Sequence, residues 1–144
     1  MKKLLLFFLV LATLGSCKKE DLVEAPAAAY PQTWQLVKLT GQIPGYSQTG
    51  AELPWQETYV FQADSTFSKT RQQGNSVVEA RGTFSVRDFL NGQYAILTYA
   101  AANSIIGSCT ANTRKETLSI KADDTLLSTW MNCDGPGLEY KKVK

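Results

Sequence analysis

The chain predicts an all-β fold, a single eight-stranded antiparallel up-and-down barrel. Three observations carry that prediction. From Thr33 onward, short runs of β-branched and aromatic residues recur between turn signals spaced roughly every 8–12 residues. No convincing helical period interrupts them. The connections are short enough for neighbouring strands to pair, and a meander of this length tends to close because closure removes both exposed edges. An open sheet or a two-layer sandwich is the competing arrangement.

The elements follow in order. The first strand is Trp34 to Leu39, followed by a long polar loop with Gly and Pro, Thr40 to Pro54. The second, Glu57 to Gln62, ends in the turn Ala63-Asp64-Ser65. The third, Thr66 to Gln72, turns at Gly74-Asn75 into a long fourth, Ser76 to Arg87. Asn91-Gly92 is the strongest hairpin signal in the chain and leads into the fifth strand, Gln93 to Ala100. Ala101 to Asn112 has only a weak strand signal, at Ile105-Ile106. The sixth strand is Lys115 to Lys121, the turn is Ala122-Asp123-Asp124, and the seventh is Thr125 to Asn132. Asp134-Gly135-Pro136-Gly137 turns the chain into the eighth, Leu138 to Val143.

A two-residue turn at Gly74-Asn75 sets Phe67 opposite Gly82, Lys69 opposite Ala80 and Arg71 opposite Val78. The fourth strand then alternates, with Val78, Ala80, Gly82, Phe84 and Val86 inward and Glu79, Arg81, Thr83, Ser85 and Arg87 outward. The link between the second and third strands sets Tyr59 beside Lys69 and Phe61 beside Phe67. The link between the sixth and seventh sets Ile120 beside Leu126 and Glu116 beside Trp130. The expected inner face is Tyr59, Phe61, Phe67, Val78, Phe84, Leu118, Ile120, Leu126 and Trp130. The fifth strand stays ambiguous, because both of its faces carry apolar residues. Lys69 and Arg71 fall inside with Glu57 near Arg71. Charges are not buried alone, so these are expected at an open, wet end of the barrel, as the mouth of an aromatic-walled pocket; the alternative is a Glu57–Arg71 rim salt bridge on a barrel whose aromatics fill the core. Small inward residues at Ala80 and Gly82 favour internal space.

The amino terminus is a separate matter. Met1-Lys2-Lys3 precedes an apolar run of eleven residues, Leu4 to Leu14, too short for the about 20 residues that cross a bilayer. Leu14-Gly15-Ser16-Cys17 resembles the lipobox of bacterial lipoproteins, which implies cleavage before Cys17 and lipid on it. An ordinary secretory leader with an incidental cysteine is the alternative. Lys18-Lys19-Glu20-Asp21 resembles the export signal of surface lipoproteins in the Bacteroidetes; a plain charged tether is the other reading. The expected organisation is a signal peptide over 1–16, a lipidated cysteine and tether over 17–32, and a barrel over 33–144. The expected address is the cell envelope, on the outer membrane and exposed at the surface if the export signal holds.

Removing residues 1–16 leaves 128 of the 144, enough for one domain with a core. The loss of Lys2 and Lys3 lowers Lys+Arg from 15 to 13, equal to the 13 Asp+Glu. A near-neutral chain argues against nucleic acid as a partner. The absence of histidine excludes a His-based triad, a His-ligated zinc site and an imidazole base. With Cys17 assigned to lipid, Cys109 and Cys133 are expected to pair in an oxidising envelope rather than remain as thiols or bind metal. No metal or cofactor is expected.

Thr33-Trp34-Gln35-Leu36, the run Thr58-Tyr59-Val60-Phe61-Gln62-Ala63-Asp64-Ser65-Thr66-Phe67, Gly82-Thr83-Phe84, Glu116-Thr117-Leu118-Ser119-Ile120 and Asp124-Thr125-Leu126 together resemble the lipocalin-like domains of Bacteroidetes lipoproteins. The resemblance spans most of Thr33 to Val143. It implies an eight-stranded up-and-down barrel that binds small apolar molecules, with Trp34 as a plug at the closed end.

Two function classes follow. One is a monomeric, membrane-anchored barrel holding a small, partly apolar ligand, with Glu57, Tyr59, Lys69, Arg71, Phe84 and Trp130 as candidate binding residues. The other is a non-catalytic interaction or structural lipoprotein, inhibitor-like, with a filled barrel and a working loop that carries Pro44, Tyr46, Pro54 and Trp55. Catalysis is not expected. Asp123-Asp124 reads as a turn, and no nucleophile lies beside a base.

Overall fold

The computed structural model describes residues 29–144; the leader, Cys17 and most of the tether lie outside them. Nine strands form one antiparallel sheet: β1 (Gln32–Thr40), β2 (Ser47–Thr49), β3 (Gln56–Phe61), β4 (Thr66–Gln73), β5 (Ser76–Phe89), β6 (Gly92–Tyr99), β7 (Lys115–Lys121), β8 (Thr125–Ser128) and β9 (Gly137–Lys142). Pairing of β1 with β9 closes eight of them into an up-and-down barrel, and β2 is an extra strand beside the end of β1. The seam holds Leu36 opposite Tyr140 and Leu39 opposite Leu138, with a register shift between Leu36 and Lys38. Among the described residues no helix is long and apolar enough to cross a membrane.

Turn chemistry and alternation set the registers as expected. Phe67 pairs with Gly82, Lys69 with Ala80 and Arg71 with Val78. Tyr59 pairs with Lys69, Phe61 with Phe67 and Glu57 with Arg71. Gly74 has φ +56°, which the tight β4–β5 turn requires and glycine supplies without strain. The ambiguous strand, β6, turns Ala95, Leu97 and Tyr99 inward. Its outer Tyr94 packs edge-on against Phe89 across the β5–β6 hairpin.

Two stretches differ from expectation. The Thr40–Pro54 loop contains β2, because Gly41 N–H donates to Tyr46 O (3.0 Å) and folds the chain back on β1. The seventh strand stops at Ser128, where a 3-10 turn, Thr129–Asn132, begins under a cap from Ser128 Oγ to Trp130 N–H (3.2 Å). Trp130 therefore never pairs with Glu116, whose cross-strand partner is Leu97. Its indole covers Gly135, where a Cβ would meet the ring at 2.2 Å.

Gly82 does not leave free volume. A Cβ there would lie 2.1 Å from Thr98 O and 2.9 Å from the Phe67 ring, so β5 and β6 approach closely at this point. The core around it is aromatic. Phe61 contacts Phe84 edge-on at 4.7 Å, Phe67 contacts Tyr99 at 4.9 Å, and Tyr59 contacts Tyr140 at 5.0 Å.

Candidate functional site

The barrel has two unlike ends. Long connections meet at one: the Thr40–Trp55 loop, the Ala100–Arg114 loop and the turn after β8. The other has only the short turns after β3, β5 and β7, together with both ends of the described chain.

The long-loop end is sealed over a buried cluster of charges. Lys69 on β4, Glu57 on β3 and Glu116 on β7 are at most 1 % exposed. Inward alternation places each side chain in the lumen, and each finds partners there. Lys69 Nζ donates to Ile105 O (2.7 Å) and to both oxygens of Glu116 (3.1 and 3.2 Å), and lies 3.0 Å from Glu57 Oε1. Arg71 Nε donates to Glu57 Oε2, and Tyr140 Oη to Glu57 Oε1 (2.5 Å). Tyr99 Oη and Gly107 N–H both donate to Glu116. Two acids thus face two bases with no net charge, which is how buried ions persist in a low-dielectric interior. Burial, reinforced by Glu116 and Glu57, raises the Tyr59, Tyr99 and Tyr140 phenols well above their ordinary range.

The expectation of an open, wet end at Lys69 and Arg71 is therefore corrected. In the Glu57–Arg71 pair the carboxylate is fully buried and the Arg71 side chain is 15 % exposed. The Ala100–Arg114 loop supplies Ile105 O to Lys69 and Gly107 N–H to Glu116, and the Cys109–Cys133 disulfide ties that loop to the chain after β8. Trp55 is half-buried, with the Arg71 guanidinium 4.5 Å from its ring. Three buried polar atoms, Trp55 Nε1, Tyr59 Oη and Arg71 Nη2, have no hydrogen-bond partner among the described residues. Tyr59 Oη has the Tyr99 and Tyr140 hydroxyls as neighbours, without a bond of good geometry to either.

The short-turn end holds a cavity of about 360 Å³, within the range of small-molecule sites. Its deep wall is apolar: Trp34, Phe61, Ala95 and Leu126 are all buried. Phe84 and Tyr30 form an aromatic side, with ring centroids 6.0 Å apart. Its rim is polar, with Gln32, Gln93, Asp124 and Lys142. Trp34 Nε1 donates to Gln32 Oε1 (3.2 Å), so the indole presents its apolar surface to the space. Trp34 is thus a wall of the open end and not a plug at the closed one. A second hollow, of about 420 Å³, is lined by residues of the Ala102–Thr113 segment alone.

Of the six candidate binding residues, Phe84 alone lines the cavity. Glu57, Tyr59, Lys69 and Arg71 meet in the sealed half, and Trp130 lies beside the disulfide over Gly135. Sequence reasoning missed Glu116 as the partner of Lys69. The parity of Glu116 with Leu118 and Ile120 carried that signal. It also missed Gln93 and Ala95, whose face of β6 was undetermined. Among the described residues no group of His, Cys, Asp and Glu is arranged to hold a metal ion. Comparison with protein-family models, curated proteins and solved structures found no match.

Proposed function

We propose that this chain is a lipocalin-like, lipid-anchored lipoprotein of the bacterial outer membrane whose barrel holds a small, partly apolar ligand at the Trp34 end. The observation that carries the reading is the cavity itself, about 360 Å³ with an apolar depth and a polar rim. That gradient suits a molecule with one greasy and one polar end. The lipobox-like Leu14-Gly15-Ser16-Cys17 supports the anchor. The alternative, a barrel acting through its loops, retains the exposed Ile43 and Tyr46 but loses Trp55, which packs against Arg71.

The test is a titration with the apolar fluorophore 1-N-phenylnaphthylamine. Saturable enhancement is expected, and it should fall at least tenfold in Val86→Trp, which narrows the mouth at a residue already 41 % exposed. No saturable signal, or an unchanged one in the variant, refutes the site. Mass analysis of the amino-terminal peptide tests the anchor separately, through acyl chains on Cys17.

A further inference from the structure

We infer that the cavity mouth faces a phospholipid bilayer, with the β5–β6 hairpin tip Phe89-Leu90 dipping into it, so that the cavity's ligand is an amphiphile drawn from the membrane. This rests on the ligand-binding reading above and names its source.

The first observation is the hairpin. Val86 lines the cavity, and β5 continues three residues beyond it, about 10 Å at the usual rise of a strand. The hairpin overhangs β4, which starts opposite Thr83, and its tip lies one residue beyond the Asp88–Gln93 pair, whose Gln93 lines the mouth. The tip carries Phe89, 56 % exposed, and Leu90, fully exposed. A two-residue turn needs no large apolar side chain, since Asn91-Gly92 supplies the geometry. Phe89 rests one edge on Tyr94 yet stays more than half exposed, and Leu90 is wholly exposed, so the tip offers apolar surface that suits an apolar phase outside.

The second observation is the path of the chain. Tyr30 and Gln32 line the same mouth, so the segment from Cys17 joins the barrel there. Cys17 lies twelve residues ahead of Ala29, a reach of at most about 40 Å. A lipid on Cys17 thus connects the bilayer to this end of the barrel; the tether permits the mouth to face the membrane, and the apolar tip selects that orientation. The third is charge. Arg87, Lys142 and Lys144 stand near the tip and rim with Asp88 and Asp124, a mixed set that suits a zwitterionic headgroup layer more than a strongly anionic one. A ligand entering from such a surface slides its chain past Val86 to Trp34 and leaves its head among Gln32, Gln93 and Lys142.

The experiment uses the mature, acylated protein in phosphatidylcholine vesicles. Leu90→Cys and, at the opposite end, Ile43→Cys are each labelled with an environment-sensitive nitrobenzoxadiazole dye. With Cys109 and Cys133 joined, the introduced thiol is the one that reacts. The dye at position 90 should emit further to the blue and be quenched by nitroxide-bearing lipid, while that at 43 emits as in water. A water-like dye at 90 overturns the orientation. A second variant, Phe89→Ser with Leu90→Ser, should slow extraction of a fluorescent lysophospholipid from vesicles at least fivefold and leave its affinity for the monomeric probe within twofold. Unchanged extraction overturns the role of the tip. Loss of probe binding in the wild type would instead remove the cavity reading and leave the dye result standing, so the two failures are distinguishable.

Discussion

Replacing Lys69 by Met should be among the most damaging single changes this barrel can suffer. Lys69 Nζ is fully buried and holds Glu116 through both oxygens, Glu57 at 3.0 Å and Ile105 O at 2.7 Å. Its loss leaves two buried carboxylates with one cation, and of the two Arg71 pairs with Glu57. Glu116 keeps just the Tyr99 hydroxyl and Gly107 N–H. Breaking a buried pair by removing one partner costs about 3–5 kcal/mol. The Met side chain fills similar space, so little of that is a packing loss. Against a total stability of about 5–15 kcal/mol this is a large fraction. Urea unfolding followed by far-ultraviolet circular dichroism, with the disulfide intact, should show the midpoint falling by about 2 M at an m-value of about 2 kcal/mol/M. Adding Glu116→Gln should recover about 1–3 kcal/mol, the coupling expected of groups in one network. A loss below about 1 kcal/mol, typical of a solvated surface pair, would refute a dry, interlocked cluster.

Three further outcomes follow. Because Tyr59, Tyr99 and Tyr140 have phenols raised in the folded state, the unfolded chain binds fewer protons above pH about 10. Stability present below that value should therefore fall by about 4 kcal/mol per pH unit as the pH rises further, with about three tyrosine ionisations at 295 nm appearing only on unfolding. Gly82→Ala sets a methyl against Thr98 O and should cost about 2 kcal/mol or more, read as a lower melting temperature; an unchanged one contradicts the close approach of β5 and β6. Cys109→Ala with Cys133→Ala opens a loop of sequence separation 24 and should cost about 3 kcal/mol on the chain-entropy model, measurable in the same urea experiment.

Much of the barrel was legible because two-residue turns and period-two alternation leave little freedom. Gly74-Asn75 fixes the partner of every inward residue on β4, and a slip of one would have turned Phe67 and Ala80 out to water. The face of β6 was not legible. Tyr94 and Ile96 are as apolar as Ala95 and Leu97, and Tyr94 stays outward by packing on Phe89. Nor was it legible which end is sealed. Charged residues on an inner face point to a wet rim because a lone lysine avoids burial, but Lys69 is not alone. Its main partner, Glu116, lies 47 residues away, and the Ile105 carbonyl belongs to a loop without periodicity. Backbone acceptors leave no trace in residue type. The cavity followed from the same misjudged end. Residue type alone makes Trp34 a plug, but the short turns after β3, β5 and β7 leave that end uncovered.

The most direct test is an isotope-edited nuclear magnetic resonance experiment on the protein with a carbon-13-labelled single-chain fatty acid. The account predicts Overhauser contacts from the acyl chain to Trp34, Phe84 and Leu126, and none to Tyr99 or Ile105 in the sealed half. Contacts confined to the sealed half, or a ligand that shows none with the barrel interior, would contradict it.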